Sequence, residues 1–233
     1  MLYKRILLKI SGSFFSGQND QGIDCHAVDE IAREVISLHQ QTVEIAIVNG
    51  AGNIFRGRNR PANFDQVAAD KIGYVSTLPN AMALAESLNR QGTDARLMCS
   101  FEIPSIARHF DVFKARQLLS QKKILVLAGG TGHPFFSTDT AAVLRALEIK
   151  ADILLKATDV DGVYSADPRV DDKAVKYDNL TYQEALNRHL DIMDQPAFAL
   201  ARDNELKILV FKFEPGALLK ILKNPNKGTL ISN

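Results

Sequence analysis

The chain has only two cysteines, Cys25 and Cys99, far apart and without metal-ligand spacing. That excludes a disulfide framework and points to a reducing compartment. It also lacks an excess of either charge, with 28 basic against 27 acidic residues and a net charge of +1. Nothing in it resembles the basic footprint of a nucleic-acid binder, so small ligands are the expected partners, with no nucleic acid and no membrane. No stretch approaches the roughly 18 consecutive apolar residues of a membrane span. The opening Met1-Leu2-Tyr3-Lys4-Arg5 leads into a short strand-like run that is wrongly flanked for a secretory leader, and a cytoplasmic location is expected. No G-x-x-x-x-G-K-[ST] sequence occurs, which argues against a P-loop kinase, and no H-R-D or D-F-G pair stands in protein-kinase order. The five histidines, at 26, 39, 109, 133 and 189, form no Ser/His/Asp or metal-site pattern. Internal repeats, low-complexity tracts and flexible linkers are absent as well.

What is present is core material, 46% of the residues being hydrophobic, enough for one large domain or two closely joined ones. Short apolar runs at 6–10, 43–48, 95–98, 124–128, 153–157 and 208–211 have strand length. Between most of them lie helix-periodic segments, among them 27–39, 65–90 and 141–149. Alternating strands and helices predict an α/β fold, a three-layer sandwich around a mostly parallel sheet, because parallel strands need crossovers that helices supply. The aspartate-rich stretch 159–178, with Gly162 and Pro168, reads as a long functional loop or a small hairpin. A second polar stretch, 57–63, follows the second strand; both are placed to move over a site.

In open parallel sheets ligands bind beyond the carboxyl ends of the strands. Four such ends here are glycine-rich or charged: Lys9-Ile10-Ser11-Gly12; Asn49-Gly50-Ala51-Gly52-Asn53-Ile54-Phe55-Arg56; the run Gly129-Gly130-Thr131-Gly132-His133-Pro134-Phe135-Phe136-Ser137-Thr138-Asp139; and Lys156-Ala157-Thr158-Asp159 onward. Glycine lets backbone N–H groups converge on an anion, and a helix N-terminus adds the positive end of its dipole. Phosphoryl transfer suits this layout, since its rate comes mostly from positioning and charge stabilisation. Lys9 would neutralise the transferring oxygens, while Asp139 and Asp167 would orient lysines or contact metal-bound water. Magnesium would sit mainly on the nucleotide phosphates, with no protein metal site.

Each residue also has a plain alternative. Lys9 reads equally as a solvated lysine and Arg56 as one half of a surface ion pair. Asp139 reads as a helix N-cap, Phe135-Phe136 as a packing pair and Asp70 as part of a solvated helix face. Four phosphate-suited turns at four strand ends of one chain outweigh these alternatives.

Taken together, the motifs resemble those of the bacterial UMP kinases of the amino acid kinase fold family. The resemblance runs nearly end to end and rests on residues 3–12, 52–57, 131–139 and 156–168, and on Met193-Asp194 with 197–204. It implies one amino acid kinase domain over 1–233, with an acceptor-binding part at about 1–150 and an ATP-binding part at about 151–233. It implies transfer of the ATP γ-phosphate to UMP, giving UDP and ADP in pyrimidine nucleotide synthesis, with Mg2+ accompanying ATP. By position, Lys9, Ile10, Ser11, Gly12, Gly52 and Arg56 would meet the ATP phosphates, and Thr158, Tyr164 and Asp167 would lie near adenine and ribose. Ala51, Asp70 and the loop Thr131, Gly132, His133, Pro134, Phe135, Phe136, Ser137 and Thr138 would hold UMP. Lys9, Arg56 and Asp139 would be the catalytic group, with Asp194 a weaker candidate for organising the site.

The resemblance further implies a homohexamer, allosteric control and inhibition by UTP. Departures from the family pattern are Ala51 and His133, where glycine and asparagine are common, Gly73-Tyr74 and Leu78-Pro79 in place of a methionine-rich helix, and Ser13-Phe14-Phe15-Ser16-Gly17. The last replaces a glutamate-led segment associated with GTP activation, which is left open here. The alternatives are another kinase of this fold acting on an amino acid or small phosphate monoester, and a nucleotide-binding regulatory or storage protein without turnover.

Overall fold

The computed structural model describes residues 3–57, 61–190 and 192–233. All six predicted strands form, as β1 (Arg5–Ile10), β2 (Glu44–Asn49), β3 (Ala95–Cys99), β5 (Ile124–Ala128), β6 (Ile153–Thr158) and β10 (Ile208–Lys212). They are joined by three short strands, β4 (Arg108–His109), β9 (Asn179–Thr181) and β11 (Thr229–Ser232), into one nine-stranded sheet of order β4-β3-β5-β2-β1-β6-β10-β11-β9. Every pairing is parallel except β10 with β11. The central strands are apolar on both faces because both are covered.

One face packs under α1 (Cys25–His39), α3 (Thr77–Arg90) and α8 (Ala217–Lys223), through residues such as Ile31, Leu84 and Leu218. The other packs under α4 (Val112–Ser120), α5 (Thr138–Glu148), α6 (Tyr182–Asn187) and α7 (Gln195–Asp203), through Leu119, Val143, Tyr182 and Phe198. The three-layer α/β sandwich is therefore as expected. The stretch 159–178 contains the small antiparallel hairpin β7 (Val163–Tyr164) and β8 (Lys176–Tyr177). The centre of the polar stretch 57–63, at 58–60, lies outside the described residues.

The helix expected over 65–90 is two helices, α2 (Gln66–Val75) and α3, separated at Ser76. Pro79 explains the break: it has no N–H for the Val75 carbonyl, and its ring crowds that oxygen. At the joint the Ser76 and Thr77 hydroxyls add hydrogen bonds of their own, donating to the Ile72 and Tyr74 carbonyls at 2.7 Å each. Asp24, Asp65 and Asp111 cap α1, α2 and α4 by accepting from backbone N–H groups of the first turn.

Candidate active site at the carboxyl edge of the sheet

Strand alternation decides where the lysines go. Ile6, Leu8 and Ile10 point from β1 into the α1 face, so Leu7 and Lys9 point to the α5 face. In β6, Ile153, Leu155 and Ala157 take the α1 face, leaving Leu154 and Lys156 on the other. Lys9 and Lys156 are direct neighbours in the parallel β1–β6 register, so two ammonium groups meet side by side, each only 11–12% exposed.

The first turn of α5 brings the compensating charge. Ser137 caps this helix by accepting from the N–H groups of Asp139 and Thr140, so Asp139 is not the cap and its carboxylate is free to turn inward. Asp139 Oδ1 lies 2.8 Å from Lys9 Nζ and Oδ2 lies 2.6 Å from Lys156 Nζ, which also donates to the Ile192 carbonyl at 2.7 Å. Burial works to raise the Asp139 carboxyl, but the two lysines outweigh it and hold the group below its ordinary range. Burial, reinforced by Lys9, pulls the Lys156 ammonium down despite Asp139. Lys9 is thus no solvated lysine: it is one member of a bridged Lys–Asp–Lys cluster.

On either side of the cluster stand the turns. The β1 and β2 turns interlock, because the Gly50 N–H donates to the Ile10 carbonyl at 2.9 Å. A Cβ on Gly12 would stand 2.6 Å from the Gly52 nitrogen and the Asn53 Oδ1 and 2.9 Å from the Ala51 nitrogen. Behind them Asn80 Nδ2 donates to the Gly50 carbonyl and to Asn53 Oδ1, a buried amide lock on the turn. Ala51 is buried and has a negative φ, so its methyl is accommodated without backbone strain. Arg56 makes no ion pair among the described residues; its Nε donates to the Gly52 carbonyl at 2.8 Å. A cavity of about 580 Å³ is lined by Lys9, Ser11, Gly52, Arg56, Lys156, Thr158 and Arg169. It shares Lys156, Thr158 and Arg169 with a second cavity of about 410 Å³, which adds Gly162, Tyr164, Asp167 and Val210. Of the residues expected to meet ATP, Ile10 is a fully buried core side chain and offers only its backbone.

Within the second cavity the Tyr164 hydroxyl donates to Asp161 at 2.5 Å, which raises its pKa. Asp167 does not orient a lysine. It is held at a pKa of about 2 by hydrogen bonds from the Arg169 side chain and backbone, and Arg169 also reaches Asp159 at 2.8 Å.

The loop after β5 lies on the opposite side of the cluster. Asp70 is not a member of a solvated face: its Oδ2 accepts from the Phe135 N–H at 2.8 Å and its Oδ1 from Gln66 at 2.7 Å. Phe135 has φ +68° and is 68% exposed, and Phe136 is 48% exposed, so the expected packing pair does not exist. An exposed aromatic in left-handed backbone carries strain that a binding loop often retains. Thr131 and His133 hydrogen-bond to each other within the loop, leaving the His133 side chain exposed. Ser137 donates to Asp194 Oδ1 at 2.7 Å and Thr140 to Oδ2 at 2.6 Å, so Asp194 clamps the start of α5. Among the described residues no group of three His, Cys, Asp or Glu side chains is arranged to hold a metal ion, and no helix is long and apolar enough to cross a membrane.

Lys156 and Arg169 were missed as site residues by sequence reasoning. Lys156 carried a signal all the same: it stands in β6 at the alternation position that Lys9 occupies in β1.

A model of the amino acid kinase family matches residues 4–212. A uridylate kinase of Xanthomonas campestris is 45% identical over 98% of this chain and 96% of its own length. One from Rhodopseudomonas palustris is 44% identical over 99% of the chain and 98% of its own length. Among solved structures, a UMP kinase from Bacillus anthracis superimposes with a TM-score of 0.95 at 35% identity, covering 99% of this chain and 96% of that one. A UMP kinase from Ureaplasma parvum gives 0.94 at 30% identity, with both chains covered in full.

Proposed function

The chain belongs to the amino acid kinase family, and from that premise we propose how its cleft divides the work of transferring the ATP γ-phosphate to UMP, giving UDP and ADP. The activity is that of a nucleoside monophosphate kinase, as in relatives 44–45% identical over 96–98% of their own length. The observation that carries the proposed mechanism is the Lys9–Asp139–Lys156 cluster, set between the β1/β6 cavities and the β5 loop.

ATP takes the cavity side: Lys9, Ser11, Gly12, Gly52 and Arg56 meet its phosphates, and Thr158, Tyr164 and Asp167 border its nucleoside. UMP takes the other side, against Ala51, Asp70 and Thr131 through Thr138. The acceptor part thus comes from about 1–150 and the donor part from about 151–233, with the turns after β1 and β2 shared between them. Lys9 supplies positive charge to the oxygens of the phosphoryl group in flight, a charge that needs no reorganisation because Asp139 fixes it beforehand. Both carboxylate oxygens of Asp139 face ammonium groups, so its role is to place the lysines. Magnesium accompanying ATP would offset the charge of its phosphates, and no carboxylate cluster among the described residues is arranged to hold the ion instead.

The same reading makes the enzyme a cytoplasmic homohexamer inhibited by UTP. Exposed apolar side chains on α2 and α3, Ile72, Val75 and Met82, support a subunit contact. The altered segment at 13–17 packs inward, with Phe15 fully buried and Phe14 edge-on to Phe213 at 5.1 Å, which makes GTP activation the property most exposed to change. The test is ADP release from Mg-ATP with UMP, CMP, dTMP or acetylglutamate, each with and without GTP. Turnover with UMP and not acetylglutamate is expected; turnover with acetylglutamate alone, or nucleotide binding without turnover, would overturn the reading.

A further inference from the structure

We infer that Ser100 and Arg145, outside every set of site residues named above, are positioning residues that aim the backbone of the loop after β5 at the acceptor. The inference rests on the acceptor assignment made in the preceding paragraphs. Ser100, directly after β3, is the template on which the turn folds. A Cβ on Gly129 (φ +84°) would stand 3.0 Å from the Ser100 nitrogen, and one on Gly132 (φ +81°) would stand 3.2 Å from the Ser100 carbonyl oxygen. The Ser100 hydroxyl lies 2.6 Å from the Gly130 carbonyl and 3.3 Å from that of Ala128, which already accepts from the Ser100 N–H.

Arg145 decides which way this hydroxyl points. A guanidinium can only donate, and its Nη2 donates to Ser100 Oγ at 2.9 Å. The one serine hydrogen is then directed to the Gly130 carbonyl. Arg145 is itself held, 9% exposed, by Glu148 at 2.5 Å and by the Phe110 ring 3.9 Å beneath it. Because a trans peptide is planar, pinning the Gly130 carbonyl toward Ser100 turns the Thr131 N–H to the opposite side, away from Ser100. That N–H has no acceptor among the described residues. It is a donor fixed before the ligand arrives, as a preorganised binding site requires.

Ser100→Ala tests the inference, with Ser100→Thr as the variant that keeps the hydroxyl and Arg145→Lys as the one that keeps the charge but loses the fork. In the ligand-free proteins, amide hydrogen exchange of the 129–137 segment is expected to speed up in Ser100→Ala and Arg145→Lys. The 9–16 segment should stay as in wild type and Ser100→Thr should be restored. With saturating ATP, the KM for UMP should rise about three- to tenfold, the factor corresponding to one hydrogen bond of ~0.6–1.4 kcal/mol, while the KM for ATP holds. Unchanged exchange at 129–137, or a rise spread over the whole chain with both KM values moving together, would overturn it. The acceptor assignment fails separately, if wild type itself shows no turnover of UMP; exchange in the ligand-free proteins still judges the positioning role.

Discussion

Replacing Asp139 with asparagine removes one negative charge from between two buried ammonium groups and changes almost nothing in shape. The carboxylate oxygens sit 2.8 and 2.6 Å from Lys9 and Lys156. Without them, two like charges about 5 Å apart repel by ~3 kcal/mol at an effective dielectric of about 20. Removing one partner of a buried ion pair costs about 3–5 kcal/mol in measured cases, so a loss of that order at pH 7 is expected in urea unfolding.

The pH dependence carries the sign. Lys156 has its folded pKa below the unfolded value, so between the two the unfolded chain binds more protons and stability rises with pH. Asp139→Asn removes the group that held this pKa up, which widens the window, and the deficit should shrink between pH 7 and pH 10. Wild type has a second limb: the Asp139 pKa is depressed in the folded state, so its contribution is present above the unfolded carboxyl pKa and is lost as pH falls through the folded one. The variant should lack this acid limb. Turnover should fall about 10²–10³-fold, the usual loss when a preorganised charge is displaced. A variant within threefold of wild type in kcat, or a stability deficit that is flat from pH 7 to pH 10, would refute the bridging role.

Lys156→Gln should leave Asp139 paired with Lys9 alone and reduce kcat about 10–100-fold, with a smaller change in the KM for ATP; initial rates over an ATP–UMP grid would separate the two. Gly12→Ala should force the interlocked β1 and β2 turns apart, since its Cβ meets backbone nitrogen at 2.6 Å. A loss of about 1–3 kcal/mol and weakened ATP binding are expected, read by thermal unfolding and calorimetry. Phe135→Gly should relieve left-handed strain at φ +68° and stabilise the protein by about 1 kcal/mol, yet raise the KM for UMP if the exposed ring covers the acceptor. A stabilised variant with an unchanged KM would remove Phe135 from the site.

Most of the sheet was legible because its strands are buried on both faces, which leaves unbroken apolar runs such as Ile-Leu-Val-Leu-Ala in β5 and Ile-Ala-Ile-Val in β2. β4, β7, β8 and β9 have two or three residues each, too few for any period to emerge. Two of the helices not named from sequence carry signals of their own: Asp111 at the cap of α4, and Thr181 with Glu184 as a capping box for α6. Pro79 likewise marks the break between α2 and α3.

The site was legible in part for a different reason. Glycine turns after strands are local features, so all four could be read in place, whereas a side chain's partner is set by register and by the other elements. Asp139 alone reads equally well as a cap or as a counter-ion; only the cap at Ser137 and the β1–β6 register, which sets Lys9 beside Lys156, separate the two. The phenylalanines after Pro134 look like core in sequence because apolar pairs usually are. They stay exposed in a loop whose Phe135 N–H donates to Asp70 on α2, a contact between distant segments that no local pattern encodes. The same separation explains why Lys156 was quoted in its turn but given no role: its meaning lies in standing next to Lys9, and that adjacency exists only once the parallel strands have paired.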